Sequence, residues 1–510
     1  RLKEAQRESG RDDPEDGGRS TGDNGDDRGD DDGEASEGNG LGWEDVPLPS
    51  PMGMLRGLAL MVLDINDFSV NYNGDWSARS SNVGRLNSDS TDVEVHYRLL
   101  DAVRGDGPSV GYRLGLDRSI GAGRRVLDSR FQVSDALSNT HRLEGRTALS
   151  PSPSFQIDLS WNVEWRTQTD RTFQAGTGEP GNGGEASDGP FTTESGDNSA
   201  SVWGFGSVVA LVEEQARRLP AGGSGAGEVL PAAEVPLTNA SVADDFKSAY
   251  LTGGGSVGAH GFAPFPLPGW NIRYSGLADW PLLGRIVESA SLRHSYNAEY
   301  QSSYATDTRA GDEVEAPNGQ TFLNPEFKVG SARVSEQFRP LLGVSITWPG
   351  NLETSVEWSR QTETYLRTAN LKVEEVQTNQ LSGSVSYRKQ GIRIPVLGLG
   401  RLENQIRFSL TVSRSVNDER SYNLRGALAD VQDAGGSVDP GQVTDPTNDY
   451  VQVRKQTTRI QVTPELTYRL SDRVTGELLV EYERFNGDNR QPSYTRVNGG
   501  FNVSVSISQN

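Results

Sequence analysis

Cysteine is absent from the 510 residues, which excludes a disulfide scaffold, a thiolate nucleophile and any cysteine-ligated zinc or iron–sulfur centre. Histidine is scarce. His96, His141, His260 and His294 are dispersed, and none forms the H-x-x-H or H-E-x-x-H pair that holds a metal. Positive charge is in deficit, 49 Lys and Arg against 70 Asp and Glu for a formal net charge of −21. The basic footprint by which a nucleic-acid binder displaces counterions is therefore missing. Long apolar runs are missing too: the best, Met54 to Ile65, is broken by Arg56 and Asp64, so no transmembrane helix is expected. Residue 1 is Arg, without a signal-peptide pattern, and is expected to be an internal position of a longer chain.

Catalytic motifs lack their context. Gly253 to Gly258 matches both G-x-G-x-x-G and G-x-S-x-G, but no strand runs directly into it, no helix follows and no phosphate-loop lysine is attached. A flexible glycine loop is expected there. Carboxylate pairs such as Glu353 and Glu357 fall on one strand face and are better explained as the polar lining of a lumen than as a glycosidase pair. No enzyme activity, cofactor or metal is expected.

What the chain does have is period two. In 155–166, Phe155, Ile157, Leu159, Trp161, Val163 and Trp165 alternate with Gln156, Asp158, Ser160, Asn162, Glu164 and Arg166. That alternation places six apolar side chains on one strand face and six polar ones on the other. It recurs around His294, with Arg293 and Glu299 on the polar side and Tyr300 on the apolar side. It also recurs at Leu342 to Trp348, Leu352 to Trp358, Leu381 to Tyr387, Ile406 to Val412, Ile460 to Tyr468, Val474 to Tyr482 and Val497 to Ile507. Weaker strands are expected at 63–76, 91–100, 108–118, 141–149 and 197–206, making about 14 in all. Helix is expected only at Val208 to Leu219 and Trp280 to Val287.

Four segments follow from these patterns. Residues 1–40 carry 14 acidic and 6 basic residues and no aromatic. Such a composition cannot bury enough apolar surface to order itself, so 1–50 is expected to be an acidic disordered linker. Residues 51–206 and 288–510 are expected to hold the two halves of a β-barrel. Between them, 207–287 reads as a non-spanning, plug-like insert. Connections are short at 150–154, 349–350 and 471–473, and long and polar at 77–90, 119–140, 167–196, 305–340 and 417–454. Short and long fall on opposite ends almost throughout, which puts 207–287 at the short-turn end.

Antiparallel strands with one apolar face fit a soluble sandwich or a membrane barrel. The strands exceed the usual length of about 5–6 residues and match the roughly 9–11 needed to cross a bilayer at a tilt. Charges lie in mid-strand, which a wet lumen tolerates. The expected fold class is therefore all-β, a transmembrane antiparallel β-barrel in the bacterial outer membrane. Asp158, Glu164, Arg293, Glu299, Glu353, Glu357, Arg407 and Glu465 are expected to face the lumen. Phe155, Trp161, Trp165, Tyr300, Trp348, Trp358, Phe408 and Phe501 are expected to face lipid or form the aromatic girdles.

Several segments carry a family resemblance: Ser150 to Trp161, Pro266 to Leu277, Asn324 to Phe327, Ser335 to Val344 with Trp348, and Glu375 to Arg388 running into Gly391. In order and spacing they resemble the C-terminal part of SprA, the outer-membrane translocon family of the type IX secretion system, tied in some bacteria to gliding motility. The resemblance spans roughly residues 59–510. It implies that the chain is one arc of a larger barrel that exports folded cargo bearing C-terminal sorting domains. It also implies a partner outer-membrane barrel, a periplasmic plug protein and a lipid bilayer around the wall. The chain ends Ser-Ile-Ser-Gln-Asn510, without the terminal aromatic of many outer-membrane proteins. The alternatives are a self-contained porin or small-solute channel and, in a different class, a secreted β-rich adhesin.

Overall fold

The computed structural model describes residues 67–80, short pieces at 85–86, 93–94 and 111, and then 133–173, 191–219, 229–251, 266–281, 283–316, 320–391, 405–469, 473–488 and 490–506. All belong to the second of two compact units, Ala59–Asn510. The expected linker 1–50, the strands at 91–100 and 108–118 (apart from the described pieces), the loop Gly253 to Gly258, His96 and His260 lie outside the described residues.

Thirteen strands form one antiparallel sheet. They are β1 (Asp67–Ser80), β2 (Val133–Ser152), β3 (Phe155–Phe173), β4 (Phe191–Ser201), β5 (Gly269–Tyr274), β6 (Ser289–Thr306), β7 (Phe327–Trp348), β8 (Leu352–Arg367), β9 (Lys372–Gln390), β10 (Gln405–Asn423), β11 (Val451–Arg469), β12 (Val474–Asn486) and β13 (Tyr494–Val505). Neighbours in sequence are neighbours in space, with one exception. β4 and β5 share a single lane between β3 and β6: β4 pairs with Val163 to Thr172 of β3, and β5 with Phe155 to Ser160 of the same strand. On the other side they meet different halves of β6 in the same way. The described sheet therefore has twelve lanes, the fourth of them split.

The excursion from that split lane carries helices α1 (Val208–Arg217) and α2 (Asn239–Tyr250). Ser207 caps α1 by accepting from the Ala210 N–H, and Thr238 with Ser241 forms a reciprocal capping box on α2. A third helix, α3 (Leu424–Asp433), and a single turn, α4 (Pro440–Val443), join β10 to β11. The expected helix at Trp280 to Val287 is instead a series of turns after a 3-10 segment at Gly276–Asp279.

Two further expectations are corrected. Residues 327–340 are not connection but the first part of β7, which is 22 residues long. Its register shifts between Phe338 and Leu342, opposite Arg360 and Trp358 of β8. Two extra residues are accommodated, so Phe338 and Leu342 stay on the same face. The insert also does not sit at the short-turn end. Val202, Val208, Leu211, Val242 and Phe246 share one buried core with Leu424, Ala427 and Val431 of α3. In addition, Val229–Pro231 pairs in parallel with Thr321–Leu323 in the β6–β7 connection. Both contacts place the insert at the end that carries the long connections.

Candidate functional site

The site is the sheet itself, a wall with two unlike faces. Strand register settles which residues share a face, because directly paired residues point the same way. Asp158, Glu164, Arg293, Glu299, Glu353, Glu357, Arg407 and Glu465 all fall on one face. Phe155, Trp161, Trp165, Tyr300, Trp348, Trp358, Phe408 and Phe501 all fall on the other.

The polar face is cross-linked by ion pairs and hydrogen bonds. Arg333 pairs with Glu363 at 3.1 Å and lays its guanidinium over the Tyr365 ring, 5.0 Å from the centroid. Glu164, Glu299 and Arg333 line a recess of about 540 Å³ together with Arg166 and Asp197. Glu483 lies between Arg459 at 3.2 Å and Arg496 at 2.5 Å. Asp158 accepts from Gln156 at 2.9 Å, and Glu465 accepts from Ser409 and Thr467. Arg293 stands directly across from Arg273, and Arg407 across from Arg388. Like charges so placed repel in a dry interface and are tolerated where water screens them.

The other face is apolar and uncovered over a continuous band. Phe501 is 72% exposed, Val356 55%, Leu381 52% and Trp358 45%. In water an apolar surface of this extent would drive association. Trp161 lies across Gly145, where an added Cβ would meet the indole at 2.1 Å, and stands 5.4 Å from the Phe68 ring. Trp165 stacks on His141 at 5.1 Å. Trp348 donates its indole N–H to Thr354 Oγ1 at 2.9 Å.

This band crosses the lanes obliquely. The hydrogen-bonded row through Trp358 continues one way to Leu381, Arg414, Ile460 and Arg484. On β12 that row has reached charge, above the band. Followed the other way, it passes Leu342 and, across the β7 bulge, His294, Ile272, Ile157 and Leu149. On β2 and β3 it lies at the lower rim, beside the turn at 153–154. Strands tilted by about 35–45° to a membrane give this offset, since rows perpendicular to them cut across the bilayer plane. A soluble sandwich core has no reason to climb along the strands. The fold class is thus an antiparallel transmembrane β-barrel wall.

Above the band, the same face is covered by protein. Tyr296 and Tyr300 are buried with Val334, Leu366, Val373 and Tyr422 under α1, α2 and α3. Tyr300, at 0% exposure, is therefore a core residue of the helical cap and not a girdle aromatic. His294 does sit at a boundary: its Nδ1 is 2.6 Å from the Leu341 carbonyl, and its ring lies between Trp270 and Phe338. The cap is held by a buried polar knot. Arg218 donates from Nε to Asp245 at 2.8 Å and forms a second bond to the same carboxylate, to which Gln215 also donates at 2.7 Å. The Asp245 contact raises the Arg218 pKa. Burial pushes the neighbouring Asp244 carboxyl up and the Lys247 amine down. Gly206 lets the chain pass against α2, since a Cβ there would meet the Ala249 carbonyl oxygen at 2.1 Å.

The sequence signals for α2 and α3 were present: Val242, Phe246 and Tyr250 recur at four-residue spacing behind Thr238, and Leu424, Ala427, Leu428 and Val431 follow Asn423. Period-two patterning on either side obscured them.

No protein-family model matches the chain, and no curated protein matches it. Among solved structures, the chain is similar to the β domain of the Bordetella autotransporter BrkA, at 8% identity over 73% of this chain and 89% of that one, with a TM-score of 0.20. A likeness that loose transfers neither architecture nor function.

Proposed function

We propose that this chain is part of the wall of an outer-membrane conduit for protein export, acting through pore geometry and gating and not through catalysis. The observation that carries the reading is the oblique apolar band backed by a predominantly polar face. It gives one surface for lipid and one for an aqueous lumen. With short turns at the periplasmic end, as in outer-membrane barrels, the helical cap stands on the extracellular side. The SprA resemblance supplies the finer proposal: cargo with C-terminal sorting domains, a partner barrel and a periplasmic plug protein.

The open edges favour export over a small-solute channel. Among the described residues, β1 and β13 each pair on one side only. A folded domain of about 100 residues has a radius of gyration near 13 Å, so it needs an opening on the order of 30 Å. Barrel diameter grows with strand number, and even barrels of about 16–18 strands enclose only porin channels. Twelve lanes closed on themselves would therefore admit small solutes and not folded cargo. As one arc of a larger wall, the chain leaves β1 and β13 to pair with other strands. Val70→Cys combined with Val503→Cys tests this in membranes. Little cross-linking is expected. Efficient cross-linking would mean closure by this chain alone, and would favour the small-solute channel.

A further inference from the structure

On the apolar face, the first charges met on leaving the band over β8, β10 and β12 are all arginines: Arg360, Arg414 and Arg484. All three are exposed, and none forms an ion pair among the described residues. Glu336 and Glu375 lie further along the strands on the same face, where the charge of Arg360 acts on both. Arg414 and Arg484 stand in one row with only Ile460 between them. Two strand spacings separate them, about 10 Å, a gap that two guanidinium side chains can close on a single anion.

Beside Arg414 the wall is hollowed. Leu342, Val344, Val356, Trp358, Leu381 and Val416 line a recess of about 400 Å³, with Arg414 and Asn379 at its rim. We propose that this recess holds an anionic phospholipid, one with no headgroup cation to offset its phosphate, with its acyl chain against the apolar floor and that phosphate between Arg414 and Arg484. Guanidinium groups bind phosphate by paired, charge-assisted hydrogen bonds, and their carbon stems lie along apolar surface. Trp358 at the same rim suits the headgroup level. The proposal rests on the reading that this face meets lipid.

The test uses the full chain extracted in detergent and offered equal amounts of phosphatidylglycerol and phosphatidylcholine, with retained lipid read by native mass spectrometry. Retained lipid should be enriched in phosphatidylglycerol by roughly tenfold, equivalent to about 1.4 kcal/mol. Arg414→Gln with Arg484→Gln should bring the ratio to parity, while Arg388→Gln, on the opposite face, should leave it unchanged. Excess inorganic phosphate should not displace the lipid; displacement would reduce the site to a simple anion site and overturn the proposal. Equal retention of both lipids by the parent chain would also overturn it while leaving the membrane face intact. A chain soluble without detergent and free of lipid would overturn both.

Discussion

The Trp203 indole donates to the carbonyl oxygen of Pro268 at 2.8 Å, across 65 residues of sequence. This bond closes the mouth of the excursion, joining the chain as it leaves β4 to the chain as it returns to β5. The ring of Trp203 meets Trp270 edge-on at 5.8 Å, and Trp270 stacks on Tyr296 at 4.5 Å. Tyr296 in turn accepts the Gly204 N–H through its hydroxyl at 2.9 Å. A lane cut in the middle is thus stitched by side chains where backbone pairing is interrupted. Trp203→Phe should lose about 1 kcal/mol for the hydrogen bond, and Trp203→Ala about 3–5 kcal/mol. Urea unfolding of the folded chain in detergent checks this, and a Trp203→Phe variant as stable as the parent would assign the effect to packing alone.

Facing is testable at adjacent residues. Leu159 lies on the apolar face beside Trp270, and Ser160 on the polar face beside Arg146. Leu159→Arg should cost up to roughly 2–4 kcal/mol, the value for a site at the bilayer midplane, and Ser160→Arg close to nothing. Equal sensitivity at the two positions would mean a core on both sides and would remove the membrane wall.

Sidedness can be read by labelling, because the chain has no cysteine of its own. Cysteine at Arg217 on α1 or Gln432 on α3 should react with an impermeant reagent on intact cells, since both are exposed on the helical cap. Cysteine at Pro349, in the turn between β7 and β8, should react only after the outer membrane is opened. Labelling of Pro349→Cys alone on intact cells would invert the orientation.

Acidity should act on the cap through Asp244. Burial raises its pKa above 3.8, with Lys247 and Arg218 opposing the shift. The folded state therefore holds this proton more tightly than the unfolded state. The stability it contributes is present at acid pH and lost as pH rises through the folded value. Asp244→Asn mimics the neutral form, so its stability relative to the parent should improve from about pH 4 to about pH 7. Thermal unfolding of the two chains across that range measures the difference. A pH-independent difference would show that Asp244 titrates as in the unfolded chain.

The strands were legible in the sequence wherever one face met protein-free surroundings. At Leu352 to Trp358 and at 155–166, alternation is unbroken because every second side chain has the same neighbourhood. The start of β7 was not legible. There Ala332, Val334, Glu336 and Phe338 face the cap and the band's edge in turn, and the bulge at Phe338/Leu342 interrupts the count. Alternation puts Tyr300 on the apolar face but carries no information about its surroundings, since only the helices decide what covers it. Arg414 and Arg484 gave no signal at all: they lie 70 residues apart and become a pair only through Ile460.

What the sequence determined by itself is therefore the strand period, the identity of the two faces and the absence of cysteine chemistry. These depend on residue type and on spacings of a few residues. The tertiary structure alone decided the register, and with it the oblique course of the band, the splitting of the fourth lane and the end of the wall that carries the helices. Each of these joins residues far apart in the chain, as Trp203 joins Pro268. A local pattern fixes the direction of a side chain but not the strand that will lie beside it, because that choice is made by packing and hydrogen bonding summed over the whole sheet.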